Sequence, residues 1–383
     1  MTTYLDHAAT TPLRPEAFEA MRPWLTGAFG NPSGGHRVAR EARRAVDEAR
    51  ETVAGVLGCE PGELVFTAGG TEADNLAVAG VVAAARRAGG PAGVLCSAVE
   101  HHAVLHAVEA EGGHLVAVDA AGMIDLDALA GALDSDTVLV SVMLANNEVG
   151  TIQDLDAVAA VVADRSRTAV VHTDAVQAAP WLDVATRAAG AHLVSIAAHK
   201  FGGPQGVGAL VVRKGVRLSP ILRGGGQERE MRSGTHNVAG IVGMAAALAA
   251  TAADRDVASV ATGRRRDRLV AGIVASLDGV VETGARTPRL PNIAHVRIAD
   301  VDNEALLVLL DDADVCASAG SSCASGALEP SHVLAAMGIG RDEARTALRL
   351  SLGRTTTDAD VDRGVAAVVA AARQLRVPAR SGR

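Results

Sequence analysis

A chain of 383 residues exceeds what one ordinary hydrophobic core accommodates, so two domains are the starting expectation. Apolar residues make up 49% of it and aromatics only 2%, so the packing must come from Ala, Val, Leu and Ile. A formal charge of −8 leaves no footprint for sequence-independent nucleic-acid binding and favours a small-molecule or protein partner.

Asp6 and His7 interrupt the start before any apolar region forms, so no signal peptide is expected. Short β-branched runs at 64–67, 94–97, 115–118, 137–144, 169–173, 193–197 and 207–212 read as strands. Helical patterns at about 71–88, 102–111, 125–133 and 154–165 fall between several of them. This alternation predicts a mainly parallel α/β sheet covered on both faces.

Past residue 213 the pattern changes to a glycine-rich loop at 224–226, a long helical stretch over 238–277, and strands near 293–298 and 347–352. We divide the chain into a large domain, 15–255, and a smaller α+β domain, 256–383, to which residues 1–14 are assigned. The longest uncharged stretch, 238–253, is shorter than the roughly 20 residues that span a bilayer. It is expected to be a core helix, with no membrane association. Cys59, Cys96, Cys316 and Cys323 form neither a CxxC nor a dense framework, which fits reduced thiols in a cytoplasmic protein.

In such sheets ligands bind at the carboxyl ends of the strands, so the residues just past each run carry the chemistry. TAGGTEADN (67–75) joins a strand to a helix through two glycines, with Thr71 and Asp74 spaced as a variant capping box. Free amide hydrogens there can cradle a phosphate, with Gly70 and Thr71 as the contacts, although a glycine turn before a helix is common. In VEHHAVLHA (99–107), His101 and His102 stand just past a strand, where an imidazole can stack on a flat ring and shuttle protons. No second cluster has zinc spacing, so no metal is expected. ANNEVG (145–150) offers two amides to a ring oxygen or a substrate carboxylate, or simply forms a turn.

VVHTDAVQ (170–177) ends a strand on Asp174, with Gln177 one turn on. A carboxylate there can keep a pyridine nitrogen protonated while Gln177 donates to a ring oxygen; an N-cap aspartate is the plainer alternative. SIAAHKFGGPQGVGAL (195–210) puts Lys200 at the mouth of an apolar sheet. A poorly solvated amine is a competent nucleophile toward an aldehyde, whereas a surface lysine would do nothing there. CASAGSSCASG (316–326) sets Cys323 in a loop without periodicity, from which a thiol could reach a pocket or serve structure alone. Cys316 reads as a packed small hydrophobe. In LRLSLGR (348–354), Arg349 can grip a carboxylate through paired hydrogen bonds or form an ordinary salt bridge.

Together with YLDHAATTP (4–12) and GNPSGGH (30–36), these segments resemble the cysteine desulfurases of the fold-type I, class V pyridoxal phosphate superfamily, from Tyr4 to about Asp362. The resemblance implies a large domain with a mainly parallel seven-stranded sheet and a smaller α+β C-terminal domain. It implies pyridoxal 5'-phosphate as cofactor and conversion of L-cysteine to L-alanine, with sulfur passed to an enzyme cysteine persulfide and on to an acceptor protein, such as an iron–sulfur scaffold or a thiolation enzyme. By the same resemblance Lys200 is the cofactor-linking lysine, Asp174 and Gln177 are the ring-nitrogen and ring-oxygen partners, and His101 is the stacking histidine. Gly70, Thr71 and His199 match phosphate contacts, and Thr235, in MRSGTHN, matches a threonine that reaches the neighbouring subunit's phosphate in a homodimer. Asn147 and Arg349 match the substrate-carboxylate residues, and Cys323 the sulfur-accepting cysteine. Ala197 departs from the family, many members of which carry a phosphate-binding serine three residues before the lysine. A selenocysteine lyase, a C–S lyase, a class V aminotransferase and a non-catalytic scaffold are the rival readings.

Overall fold

The computed structural model describes residues 2–320 and 331–376. The chain starts on a two-residue strand, β1 (Thr3–Tyr4), followed by α1 (Pro15–Thr26) and α2 (Arg37–Leu57). A seven-stranded sheet is then laid down from β2 (Leu64–Thr67), β3 (Gly93–Ser97), β4 (His114–Val116), β5 (Thr137–Ser141), β6 (Val170–Asp174), β7 (Leu193–Ala197) and β8 (Gly208–Val212). Its spatial order is β2-β8-β7-β6-β5-β3-β4, with β8 antiparallel to both neighbours and the other pairs parallel. Helices α3 (Gly70–Arg87), α4 (His102–Ala110), α5 (Leu126–Ala132), α6 (Leu155–Arg165) and the short α7 (Val184–Arg187) make the crossovers.

Every residue of β2, β5, β7 and β8 is buried, which is why these strands read as continuous apolar runs rather than alternating ones. Two expected strands are shorter than their apolar runs. The run at 115–118 pairs only as His114–Val116, and the run at 137–144 leaves the ladder after Ser141, its continuation returning through a bridge between Ala145 and Ile152. Apolar content marks what is buried, whereas pairing ends where the neighbouring strand ends. The capping-box reading of Thr71 and Asp74 is also corrected: α3 begins at Gly70, its N-cap is Gly69 at φ 155°, and no side chain caps it.

A single helix, α8 (Val238–Ser276), crosses from this sheet to the second core. Ile241, Met244 and Leu248 in its first half belong to the large core, and Leu269, Val270 and Ile273 in its second half to the smaller one. The division we propose at residue 255 therefore falls within one continuous helix. α8 is long and apolar enough to cross a membrane by length and composition, but half of its most apolar window is buried inside the fold.

The smaller core is built on β9 (Val280–Glu282), β10 (Ile293–Ile298), β11 (Val315–Cys316) and β12 (Ala347–Ser351), with α9 (Asn303–Asp312), α10 (His332–Ala336), α11 (Arg341–Ala344) and α12 (Asp358–Arg376). β10 lies between β9 and β12, antiparallel to both, while β1 pairs in parallel with β11. The N-terminal segment is thus stitched to the C-terminal region, and Leu5, fully buried, packs in the same cluster as Val296, Leu348 and Val368.

Removing that anchor leaves a cavity that rigid strands cannot close. Leu5→Ala should destabilise the fold by about 2–5 kcal/mol. Truncating the exposed Val308 should cost less than about 0.5 kcal/mol. Chemical denaturation of both variants makes the comparison.

Candidate active site

β2, β3, β5, β6 and β7 end at one edge of the large sheet, and a cavity of about 220 Å³ opens there. Its walls include Gly70 and Thr71 at the start of α3, His101 at the start of α4, Asn147, Asp174, Gln177, His199, Lys200 and Arg349. Ala8, Asp74, Met143, Val176 and Ala197 complete the lining. The candidate residues scattered between positions 70 and 349 are therefore brought into one space. Thr235 is not among them: it is exposed, in the loop before α8. Cys323 lies outside the described residues.

Lys200 follows β7 in a short 3-10 turn, Ala198–Lys200. Its Nζ donates to the carbonyls of Ala8 at 2.6 Å and Ala9 at 2.9 Å, and Gln177 Nε2 donates to the same Ala8 carbonyl at 2.8 Å. The N-terminal segment thus forms one wall of the site, a role for Ala8 and Ala9 that no side-chain pattern reveals because it is played by backbone oxygens.

Asp174, the last residue of β6, is buried and accepts a hydrogen bond from the Val176 N–H at 2.8 Å. Burial pushes its carboxyl up to about 6, against the opposing pull of that N–H and of the Lys200 charge. Such a carboxylate is ionised at neutral pH but short of positive charge, so a protonated ring nitrogen would satisfy it.

Gly70 and Thr71, also in the cavity wall, belong to the first turn of α3, whose N–H groups have no intrahelical acceptor. A Cβ on Gly70 would approach Val176 Cγ2 to 2.9 Å, so only glycine leaves the backbone open there. Ala197 is buried beside it and supplies no hydroxyl. His199 Nδ1 pairs with Thr10 Oγ1 at 3.2 Å, and burial followed by the Lys200 charge lowers its imidazole to about 4.

His101 caps α4, its Nδ1 accepting from the Ala103 N–H at 3.1 Å. Burial first, then Lys200 and the imidazoles of His102, His332 and His106, lowers it to about 4. A neutral ring with Nδ1 accepting carries its proton on Nε2. His101 can therefore stack on a flat ring without adding positive charge beside Lys200.

Arg349 is buried on β12. Its guanidinium donates to the Asn147 carbonyl at 3.0 Å and the Gly320 carbonyl at 3.3 Å and pairs with Asp6 at 2.8 Å, while Nε has no hydrogen-bond partner. The two amides of ANNEVG divide: Asn146 holds the turn, accepting from the Glu148 and Val149 N–H groups, whereas Asn147 lines the cavity. Asp6, Asp74 and Glu100 escaped the sequence reasoning as site residues, because nothing in their spacing shows that the fold pairs the half-buried Asp6 with Arg349 or buries Asp74 and Glu100.

The sequence pattern described as aminotransferase class-V matches residues 3–363. The chain belongs to that family. Within it, the chain is 46% identical over 370 residues to an IscS-like cysteine desulfurase of Mycobacterium tuberculosis, covering 94% of this chain and 93% of that one. A solved NifS-like protein superposes with a TM-score of 0.90 at 34% identity, over 97% of this chain and 99% of that chain. A structure described as SspA in complex with cysteine superposes with a TM-score of 0.80 at 30% identity, over 93% and 100%. This class-V member is thus one of the cysteine desulfurase branch, with the α/β fold of its solved neighbours.

The electrostatics of this class-V site are open to direct measurement. An imidazole whose folded value lies below 6.5 binds its proton more weakly than in the unfolded chain, so its share of stability is present above 6.5 and is lost as pH falls toward 4. In a histidine-labelled sample, the His101 ring should keep its neutral chemical shift at pH 6 and titrate near 4. A midpoint above 6 would show that the ring is solvated.

Proposed function

We propose that this cysteine desulfurase family member acts on L-cysteine with pyridoxal phosphate, passing sulfur to Cys323 and from there to an acceptor protein. The observation that carries the reading is the meeting of Lys200, Asp174, Gln177, His101, Gly70 and Thr71 in one cavity. The donor set fits the cofactor: an amine for its aldehyde, a buried carboxylate for its ring nitrogen, a neutral imidazole for its ring face, and a helix start without a Cβ for its phosphate.

In that reading Lys200 would hold the cofactor covalently, Gln177 its ring oxygen, and Gly70, Thr71 and His199 its phosphate. Bound there, the cofactor supplies an electron sink for the pair released when the substrate Cα–H bond breaks. Lys200 Nζ, once freed, would take the Cα proton, and Asp174 would keep the ring nitrogen protonated. Arg349 and Asn147 bind the substrate carboxylate and fix its orientation. Cys323, as thiolate, attacks the substrate sulfur; the C–S bond breaks with its electron pair left on the substrate Cβ, which gains a proton, and Lys200 returns the abstracted proton to Cα to give alanine. Sulfur stays on Cys323 as a persulfide until an acceptor thiol attacks its outer atom. His101 Nε2–H lies in the same cavity and can move a proton during these steps.

Two further parts of the reading have their own support. Phe18, Leu25 and Phe29 are exposed at 51%, 64% and 86%, an apolar surface suited to a second copy, and the exposed Thr235 could serve that copy's phosphate. The three cysteines among the described residues, Cys59, Cys96 and Cys316, are free thiols, as expected in a cytoplasmic protein.

Adding pyridoxal phosphate to the purified protein should produce a visible absorbance band that Lys200→Ala abolishes. Cys323→Ser should keep the band and lose the sulfur-34-labelled adduct that peptide mass analysis finds at Cys323 when labelled L-cysteine is supplied. Alanine should form one for one with transferred sulfur and without keto acid. A protein that gains no absorbance would instead be a scaffold, and keto acid as product would make it an aminotransferase.

A further inference from the structure

The proposed mechanism leaves one ionisable residue of the cavity lining without a task. Asp74 sits in the second turn of α3, is only 1% exposed, and lines the same cavity as Asp174 and Lys200. Its Oδ1 has no hydrogen-bond partner. From β6, His172 is fully buried, with Nδ1 on Ser141 Oγ at 2.8 Å and Nε2 on Ser195 Oγ at 2.9 Å; that Nε2 stands 3.6 Å from Asp74 Oδ1. From the segment after β3, Glu100 is fully buried, with Oε1 accepting the Met143 N–H at 2.5 Å and Oε2 unpartnered.

The charged and titratable groups in or beside this space are thus the carboxyls of Asp74, Asp174 and Glu100, the ammonium of Lys200, the Arg349 guanidinium, which is already paired with Asp6, and the imidazoles of His101, His172 and His199. His172 supplies no countercharge, because burial lowers it to about 3. One ammonium cannot balance three ionised carboxylates in a dry space, so protons must be retained on some of them. Asp74 is pushed well above the usual carboxylate range by burial, then by the Asp174 charge, with the Ser195 hydroxyl opposing and Glu100 adding to the rise. Glu100 is raised as well, chiefly by burial, whereas Asp174 reaches only about 6. Asp174 is therefore the member that ionises first.

We propose that Asp74 is a positioning residue held as the neutral acid beside Asp174, so that the negative charge of the site is confined to the carboxylate that faces the ring nitrogen. The inference rests on reading Asp174 as the ring-nitrogen partner. With Asp74 neutral, Asp174 needs only one cation; with Asp74 ionised, two like charges would compete for it.

The test uses cofactor-free protein. Asp74 keeps its proton when folded and loses it when unfolded, so the wild type becomes less stable as pH rises above the ordinary carboxylate value, and Asp74→Asn does not share that loss. In denaturant unfolding between pH 5 and 7, the ratio of the Asn variant's folding constant to the wild type's should climb steeply, toward about tenfold per pH unit. A ratio that stays flat overturns the proposal. Should Asp74→Asn not fold, carbon-13 aspartate labelling of the wild type decides: an Asp74 carboxyl un-ionised through pH 7 supports it, and a midpoint below pH 5 overturns it. Asp174→Asn separates the two readings. Unchanged affinity of that variant for pyridoxal phosphate would overturn the cofactor-site assignment, whatever the protonation of Asp74 proves to be.

Discussion

An excess of buried acid over buried base is the constraint on which this site turns. Asp174 ends a strand in the middle of the large sheet, where water cannot solvate it, and the ammonium of Lys200 enters the same space past the adjacent strand. Lys200 is itself tied to the Ala8 and Ala9 carbonyls, so its charge is held in place by the N-terminal segment. The neutral imidazoles of His101, His172 and His199 add no cation. In the proposed reading, a group that brings a positive edge to Asp174 and an anion to the start of α3 would complete such a site, as a protonated pyridine bearing a phosphate would.

The topology makes this concentration of charge possible. Parallel crossovers bring the ends of β2, β3, β5, β6 and β7 to one edge, so residues far apart in the chain converge without any long loop. The antiparallel β8 reverses the chain immediately after Lys200, and Gly202, at φ 82°, takes a conformation that a side chain would strain. A Cβ there would also meet Arg14 Cγ at 2.6 Å. Gly202 thus serves the close approach of the N-terminal segment to the turn.

Much of this was legible from residues alone. The seven apolar runs each became a strand of the sheet, and residues after β2, β3, β5, β6 and β7 line the cavity. The strands at 293–298 and 347–352 and the helix from 238 were equally plain. What periodicity could not show was burial of polar groups. Asp74 falls at a helix position where a solvent-facing or capping carboxylate is ordinary, and only the packing of α3 over β6 and β7 makes it a buried acid. Strand ends were misjudged for a related reason: the apolar run past Ser141 stays buried after its pairing stops.

The first dozen residues show how far tertiary context can exceed local pattern. Leu5 packs in the smaller core, Asp6 pairs with Arg349, Ala8 and Ala9 receive Lys200, and Thr10 contacts His199. Residues of this one short segment therefore touch the second core, the proposed carboxylate-binding arginine, the Lys200 amine and His199. Because Arg349 also donates to Gly320, a shift of this segment would be felt at the last residue described before the stretch that carries Cys323. The smaller core is thus built into the wall of the site, and its contribution to stability and its contribution to the geometry around Lys200 run through the same few backbone groups.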